Sequence, residues 1–402
     1  MRRHLLLVLG LTACFPVWAR KVDLDYQVRL LPQSGQAEVR LVLADGSAVR
    51  SLDFDLGKGG VYSGFLADGQ WQVQAQRGIW HPAPGKASLS YRVQLDQKPQ
   101  GVTYESRITP RWALFRGDQL VPAARLDQQD GTELVARLAF ELPEGWKSVE
   151  TAWPRIGKHK FRVDNVSRLF DRPTGWMLAG NLGSRRARLG ETEVTVAAPQ
   201  GQGMRRMDTL TLLTFVWPQL QAVFPRNPPK LLLVGARDEM WRGVLGGHNS
   251  LYVHSSRPLI GESGTSPLLR ELVQLFAQVN DRDGSDWLGE SLADYYATEL
   301  LRRAGGMGDD RYQALQARLH QQGAKVTRLR GDKADAAQVA RGVLLLQALD
   351  REIRLHTHDK RSLDDVTQAL MRLSSVSNEE FVQISESVLG RRSEVLQSKL
   401  LR

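Results

Sequence analysis

The chain has 402 residues, of which 42% are hydrophobic and 24% charged, so it has room for two or three domains of ordinary soluble composition. Its formal charge of +10 is spread along the sequence with no aromatic-interleaved basic block. That excludes a nucleic-acid module and leaves a solubilising surface. The only cysteine is Cys14, which excludes a disulfide framework.

Residues 1–19 read as a secretion signal. Arg2, Arg3 and His4 form a basic start, and Leu5 to Phe15 is apolar but too short to span a bilayer. Val17-Trp18-Ala19 places a small residue at the cut, so the mature chain would begin at Arg20 without a cysteine. The expected location is the periplasm or the exterior. Leu11-Thr12-Ala13-Cys14 also resembles a bacterial lipobox, which would lipidate Cys14 and give an outer-membrane lipoprotein. The apolar residues after Cys14 argue for plain cleavage.

Residues 20–200 read as a β-rich domain. Val22 to Leu30, Ala37 to Leu43, Trp71 to Ala75 and Leu89 to Leu95 alternate apolar and polar residues between Gly, Asp and Pro turns. A second group covers Leu134 to Leu142, Phe161 to Val166 and Glu191 to Ala198. The expected architecture is a β-sandwich-like domain of antiparallel strands.

The pattern changes near residue 200, and 201–402 reads as a second domain with a helical C-terminal half. Met207 to Phe224 has helical spacing with Pro218 as a kink or break. Lys230 to Val234 is a short buried strand. Asn249 to His254 is another, expected at the edge of a cleft and preceded by Gly246-Gly247-His248-Asn249. Leu268 to Tyr296 reads as two helices joined by a polar turn, with Pro267 at the first helical position. Helical segments follow at Asp310 to Gln321, Asp335 to His356, Leu363 to Leu373 and Glu379 to Leu389. Ser362 with Asp365, and Ser377 with Glu380, have the spacing of capping boxes.

The two helices of Leu268 to Tyr296 carry a family resemblance. Arg270, Glu271 and Gln274 stand in the first, and Glu290 stands in the second, inside Trp287-Leu288-Gly289-Glu290-Ser291-Leu292-Ala293-Asp294-Tyr295-Tyr296. This resembles the zinc core of the gluzincin metallopeptidases, in which an H-E-x-x-H helix supplies two ligands and the general base, and a Glu in the next helix supplies the third ligand. Arg341 to Arg354 and Ser362 to Val366 resemble the C-terminal helices of the glycyl aminopeptidase branch, and Phe170 to Gly175 resembles the phrase that ends the β domain of relatives. The resemblance implies an α+β protein, with the N-terminal β-sandwich-like domain followed by a thermolysin-like, mainly helical metallopeptidase domain.

It also implies roles that the residues only partly fill. Glu271 matches the general base and Glu290 the third ligand, both vestigial, while Arg270 and Gln274 replace the two ligand histidines. Val339 and Ala340 stand where relatives place an oxyanion-stabilising Tyr. Zinc is the family's cofactor, but a guanidinium stays protonated and repels a cation, so no cofactor is expected. Arg270 is instead expected to pair with Glu290, with Gln274 bonding to the same carboxylate. Gly246, Gly247, His248 and Asn249, with the edge strand Leu251, Tyr252 and Val253, would form a cleft for a peptide or protein ligand by strand addition. His356-Thr357-His358, at a helix end, reads as a solvated terminus rather than a ligand pair. The expected function is a non-catalytic pseudopeptidase. An active peptidase with an atypical metal site and a lipid-tethered envelope scaffold are the alternatives.

Overall fold

Residues 20–401 are described by a computed structural model, apart from 58, 99–100, 102, 165–169, 238, 283 and 332. The signal and lipobox readings at residues 1–19, and the far end of the strand expected to reach Val166, lie outside the described residues. In chain order the first part holds β1 (Arg20–Leu31), β2 (Gln36–Leu43), β3 (Val49–Asp55), β4 (Tyr62–Ala67), β5 (Gly69–Gln74), β6 (Arg77–Pro82), β7 (Ala87–Gln94), β8 (Arg107–Ile108), β9 (Trp112–Arg116), α1 (Gly117–Leu120), β10 (Ala124–Gln128), β11 (Thr132–Glu141), β12 (Ser148–Thr151), β13 (Arg155–Gly157), β14 (Lys160–Val163) and β15 (Trp176–Gly180). Then come β16 (Leu182–Leu189), β17 (Thr192–Pro199), α2 (Arg206–Val223), β18 (Lys230–Val234), β19 (Val244–Gly247), β20 (Ser250–Val253), α3 (Pro267–Ala277), α4 (Asp286–Arg303), α5 (Asp309–Gly323), α6 (Ala336–Thr357), α7 (Leu363–Leu370) and α8 (Asn378–Leu389).

Among the described residues the strands form four sheets, ordered β13-β14-β11-β1-β2-β7-β4, β10-β3-β6-β5, β12-β15-β9-β8 and β16-β17-β18-β20-β19. The first is not purely antiparallel as expected. Strand β11 returns beside β1 and runs parallel to it from Arg20↔Thr132 to Arg29↔Glu141. The chain between them, which carries β2 to β10, supplies the long crossover that a parallel pair needs.

Period-two alternation divides the core. In β9, Ala113 and Phe115 join the apolar cluster of the first three sheets, while Trp112 and Leu114 face the fourth sheet. In β15, Met177 and Ala179 face the first cluster, and Trp176 and Leu178 the fourth sheet. In β18, Leu232 and Val234 meet that layer, whereas Leu231 and Leu233 pack under the helices. A strand buried on both faces reads as an unbroken apolar run, which is why Lys230 to Val234 shows no alternation.

The sheets divide earlier than the change of pattern near residue 200. Strands β16 and β17 pair with each other and, through β17, run parallel to β18, so they belong to the sheet beneath the helices. Their sequence alternates like the earlier strands, and only pairing reveals which sheet they join. Helix α2 continues through Pro218. Ring and missing N–H fall on the exposed side, where water can serve the freed carbonyl.

Candidate functional site

Helix α3 begins where its sequence says it should. Ser266 caps it, accepting from the Leu269 N–H at 3.2 Å, and Pro267 takes the first helical position. Leu268, Leu269, Leu272, Val273 and Phe276 bury one face, leaving Arg270, Glu271 and Gln274 on the other. Helix α4 buries Trp287, Leu288 and Leu292 and turns Glu290 and Asp294, one turn apart, toward α3. The α4–α6 contact fixes that rotation. A Cβ on Gly342 would lie 2.1 Å from Ser291 Oγ and 2.9 Å from the Trp287 ring, so only glycine permits the approach.

Arg270 is the hub of the polar face. Its Nη2 donates to Glu290 Oε2, its Nε lies 2.8 Å from Asp294 Oδ1, and its Nη1 lies 3.3 Å from Glu271 Oε1. Gln274 Nε2 donates to Glu290 Oε1 at 3.1 Å. Arg270 and Gln274 therefore hold both oxygens of Glu290. Burial pushes the Glu271 carboxyl up, against the pull of Arg270 and of the Gly246 N–H. Burial also raises Asp294, again opposed by Arg270. The donor set here does not fit zinc: the Glu290 carboxylate is bonded to a guanidinium. Among the described residues, no group of three His, Cys, Asp or Glu is arranged to hold a metal ion.

Beside Glu290 opens a cleft of about 610 Å³ whose lining includes Gly247, His248, Asn249, Gln274, Asp281 and Glu290. Strand β19 forms the edge of the five-stranded sheet here, and Gly246 of that strand reaches Glu271. This corrects the expected strand. Leu251, Tyr252 and Val253 belong to β20, which pairs with β18 on one side and β19 on the other. They are buried, Leu251 and Val253 under the helices and Tyr252 on the opposite face. The short Gly-containing segment before them folds back as a hairpin and takes the edge. Asn249 makes the turn at φ 44°, a left-handed conformation that Asn tolerates.

His248 lines this cleft, stacked on Trp153 with ring centroids 4.4 Å apart. Burial lowers its pKa, and Arg226 lowers it further. His254 is not beside it: it is buried near a separate pocket, with Nδ1 2.7 Å from Ser256 Oγ. Val339 and Ala340 are buried in α6. Tyr296 donates to Asp364 at 3.0 Å from within the core, which is a packing position.

Three residues at the site escaped the sequence reading. Asp294 had a readable signal, being one helical turn beyond Glu290. Asp281 and Arg226 had none. Asp281 closes the start of α4 by accepting from the Gly289 N–H at 3.2 Å, and burial lifts its pKa to about 7. Arg226 Nη2 donates to Asn249 Oδ1 at 3.2 Å, tying the hairpin turn to the chain after α2.

Compared by sequence, the chain matches no protein-family profile and no curated protein. By structure it resembles an aminopeptidase N family protein from Idiomarina loihiensis with a TM-score of 0.67 at 14% identity, covering 93% of this chain and 78% of that one. It also resembles an M1 zinc metallopeptidase from Deinococcus radiodurans, solved as a point mutant, with a TM-score of 0.57 at 16% identity, covering 95% and 92% of the two chains. A third likeness, to the aminopeptidase A of Legionella pneumophila solved with aspartic acid, has a TM-score of 0.55 at 14% identity and covers 96% of this chain but 49% of that one. The chain thus has the α+β fold of the aminopeptidase N family.

Proposed function

We propose that this protein is a pseudopeptidase: a metallopeptidase-like frame that binds a peptide or protein segment in the cleft beside Glu290 and does not hydrolyse it. The observation that carries the reading is the guanidinium of Arg270, which meets Glu290, Asp294 and Glu271 together. A metallopeptidase needs three ligands and an open position for water, with a Glu to take the proton. Here the cation between the carboxylates is a side chain that has no open coordination position. Glu271, with its raised pKa, would still suit a base, but the site offers it no activated water.

Binding is a different matter, because the cleft does not need a metal. Among the described residues no strand pairs with the outer side of β19, whose Gly246 N–H is given to Glu271; an extended segment would add there as a further strand in place of that contact, with His248, Asn249 and Gln274 meeting its side chains. The working place of the protein, on this reading, is the periplasm or the exterior after signal cleavage.

The test is zinc content by elemental analysis of purified protein, beside the double variant Arg270→His, Gln274→His. The expected outcome is a native protein without stoichiometric zinc and a variant that holds about one zinc per chain. Stoichiometric zinc in the native protein, with peptide hydrolysis, would overturn the reading.

A further inference from the structure

Edge strands present unpaired N–H and C=O groups, and proteins protect them with charge, proline, bulges or brevity. Most outer strands of this chain follow that rule. Strands β8, β10, β12, β13 and β16 each carry a charged residue, and β4 is bulged between Ser63 and Leu66; β19 is the edge proposed above to take a peptide. Strand β5, Gly-Gln-Trp-Gln-Val-Gln, has none of these protections. It is uncharged, lacks proline, and pairs with β6 in unbroken register from Gly69↔Pro82 to Gln74↔Arg77. Every residue but Trp71 is exposed, and Val73 is 54% exposed. Among the described residues no strand pairs with its other side.

The ladder says which peptide groups face outward. Pro82 has no N–H and stands opposite Gly69, while the Ala83 N–H donates to the Asp68 carbonyl at 3.2 Å. The residues bonded to β6 are therefore Gln70, Gln72 and Gln74, and the peptide groups of Gly69, Trp71 and Val73 point away. Trp71 is held in place, stacked on Phe65 with centroids 4.5 Å apart.

We propose that β5 is a self-association edge, through which two copies of this chain pair antiparallel about a twofold axis at Gln72. The sequence is self-complementary in that register. Trp71 meets Val73 of the second copy twice, an aromatic against a β-branched residue on one face. Gln70 meets Gln74, and Gln72 meets its own copy, on the other. The outward groups of Trp71 and Val73 form the hydrogen-bonded pairs, and Gln72 falls at the close, non-bonded pair on the axis. Charge favours a second copy at this place. On a chain of +10 most surfaces repel their own image, and β5 is an uncharged six-residue strip. So short a strip lies well below the roughly 1,200 Å² of a stable interface, so the dimer is weak and concentration-dependent.

Sedimentation of the full chain over a concentration series tests this, beside Val73→Lys and Val73→Pro. The proline removes one outward N–H and no bond to β6; the lysine changes only an exposed side chain. The native protein should shift toward dimer with concentration, and both variants should stay monomeric with unchanged circular dichroism and melting. Register is tested in a Cys14→Ser background: under mild oxidant Gln72→Cys should cross-link to itself and Gln74→Cys should not, since a close pair at ~4.5 Å between Cα atoms suits a disulfide. A native protein that is monomeric at every concentration overturns the proposal and leaves the edge to an extended segment of another protein. Dimerisation unchanged by either Val73 variant overturns it in favour of another surface.

Discussion

Replacing Arg270 with Met should destabilise the protein at neutral pH and much less in acid. The guanidinium holds three carboxylates, and a hydrogen bond to a charged group nets about 1.5–3 kcal/mol. Breaking a fully buried ion pair costs roughly 3–5 kcal/mol. This cluster is only partly buried: the side chains are 29% exposed at Arg270, 34% at Glu290 and 42% at Asp294. Water therefore takes up much of the lost charge, as at surface pairs, and the expected cost for the whole cluster is about 2 kcal/mol. The sign of its pH dependence follows from Glu271 and Asp294. Burial raises both and Arg270 pulls both down; in the variant that pull is gone and both rise further. A carboxyl raised on folding contributes stability that is present below its unfolded value and lost as pH rises through its folded value. The variant's deficit should then be full near neutral pH, shrink as pH falls through the raised folded values, and be least below the ordinary carboxylate range of about 4. Urea unfolding midpoints at the two pH values measure it, with Gln274→Met as an uncharged control whose smaller deficit should not move. An Arg270→Met deficit equal at both pH values would refute the electrostatic reasoning and reduce Arg270 to packing.

Asp281, lifted to about 7 by burial, also takes up a proton on folding, so its contribution is lost as pH rises through about 7. Asp281→Asn should flatten that dependence, making the variant gain on the native protein between mildly acidic and mildly alkaline melts. Gly342→Ala should cost about 1–3 kcal/mol by overpacking, since the new methyl would press on Ser291 and the rigid Trp287 ring. A urea midpoint unchanged from the native protein would show that α4 and α6 can separate freely.

Much of the fold was legible because it follows from period and punctuation. Ser266 and Pro267 mark the start of α3, and Ser362 with Asp365 and Ser377 with Glu380 close as reciprocal caps. The Arg270–Glu290–Gln274 contacts were legible too, once two helices of family-like spacing were set side by side. Long-range pairing was not. Nothing in β11 says that it runs parallel to β1, and nothing in β16 and β17 says that they join β18. The cleft edge was misplaced for a related reason. Leu251 to Val253 has the apolar run of a strand, and such a run signals burial on both faces, which is the mark of an interior strand. Gly246 and Gly247, weak strand formers, take the edge because β20 offers them a partner.

Arg270 is also more than a local feature of α3. Two carboxylates facing each other in a half-buried cleft need a cation, and a single lysine point charge would serve one of them. The guanidinium fork presents Nη2, Nη1 and Nε in one plane, and the structure uses all three, on Glu290, Glu271 and Asp294. Asp294 reaches the fork only because it lies one turn along α4 from Glu290, on the same face. With Arg270 as hub and Gln274 on the remaining oxygen of Glu290, side-chain contacts tie α3 to α4. The wall of the cleft beside them is set by these contacts.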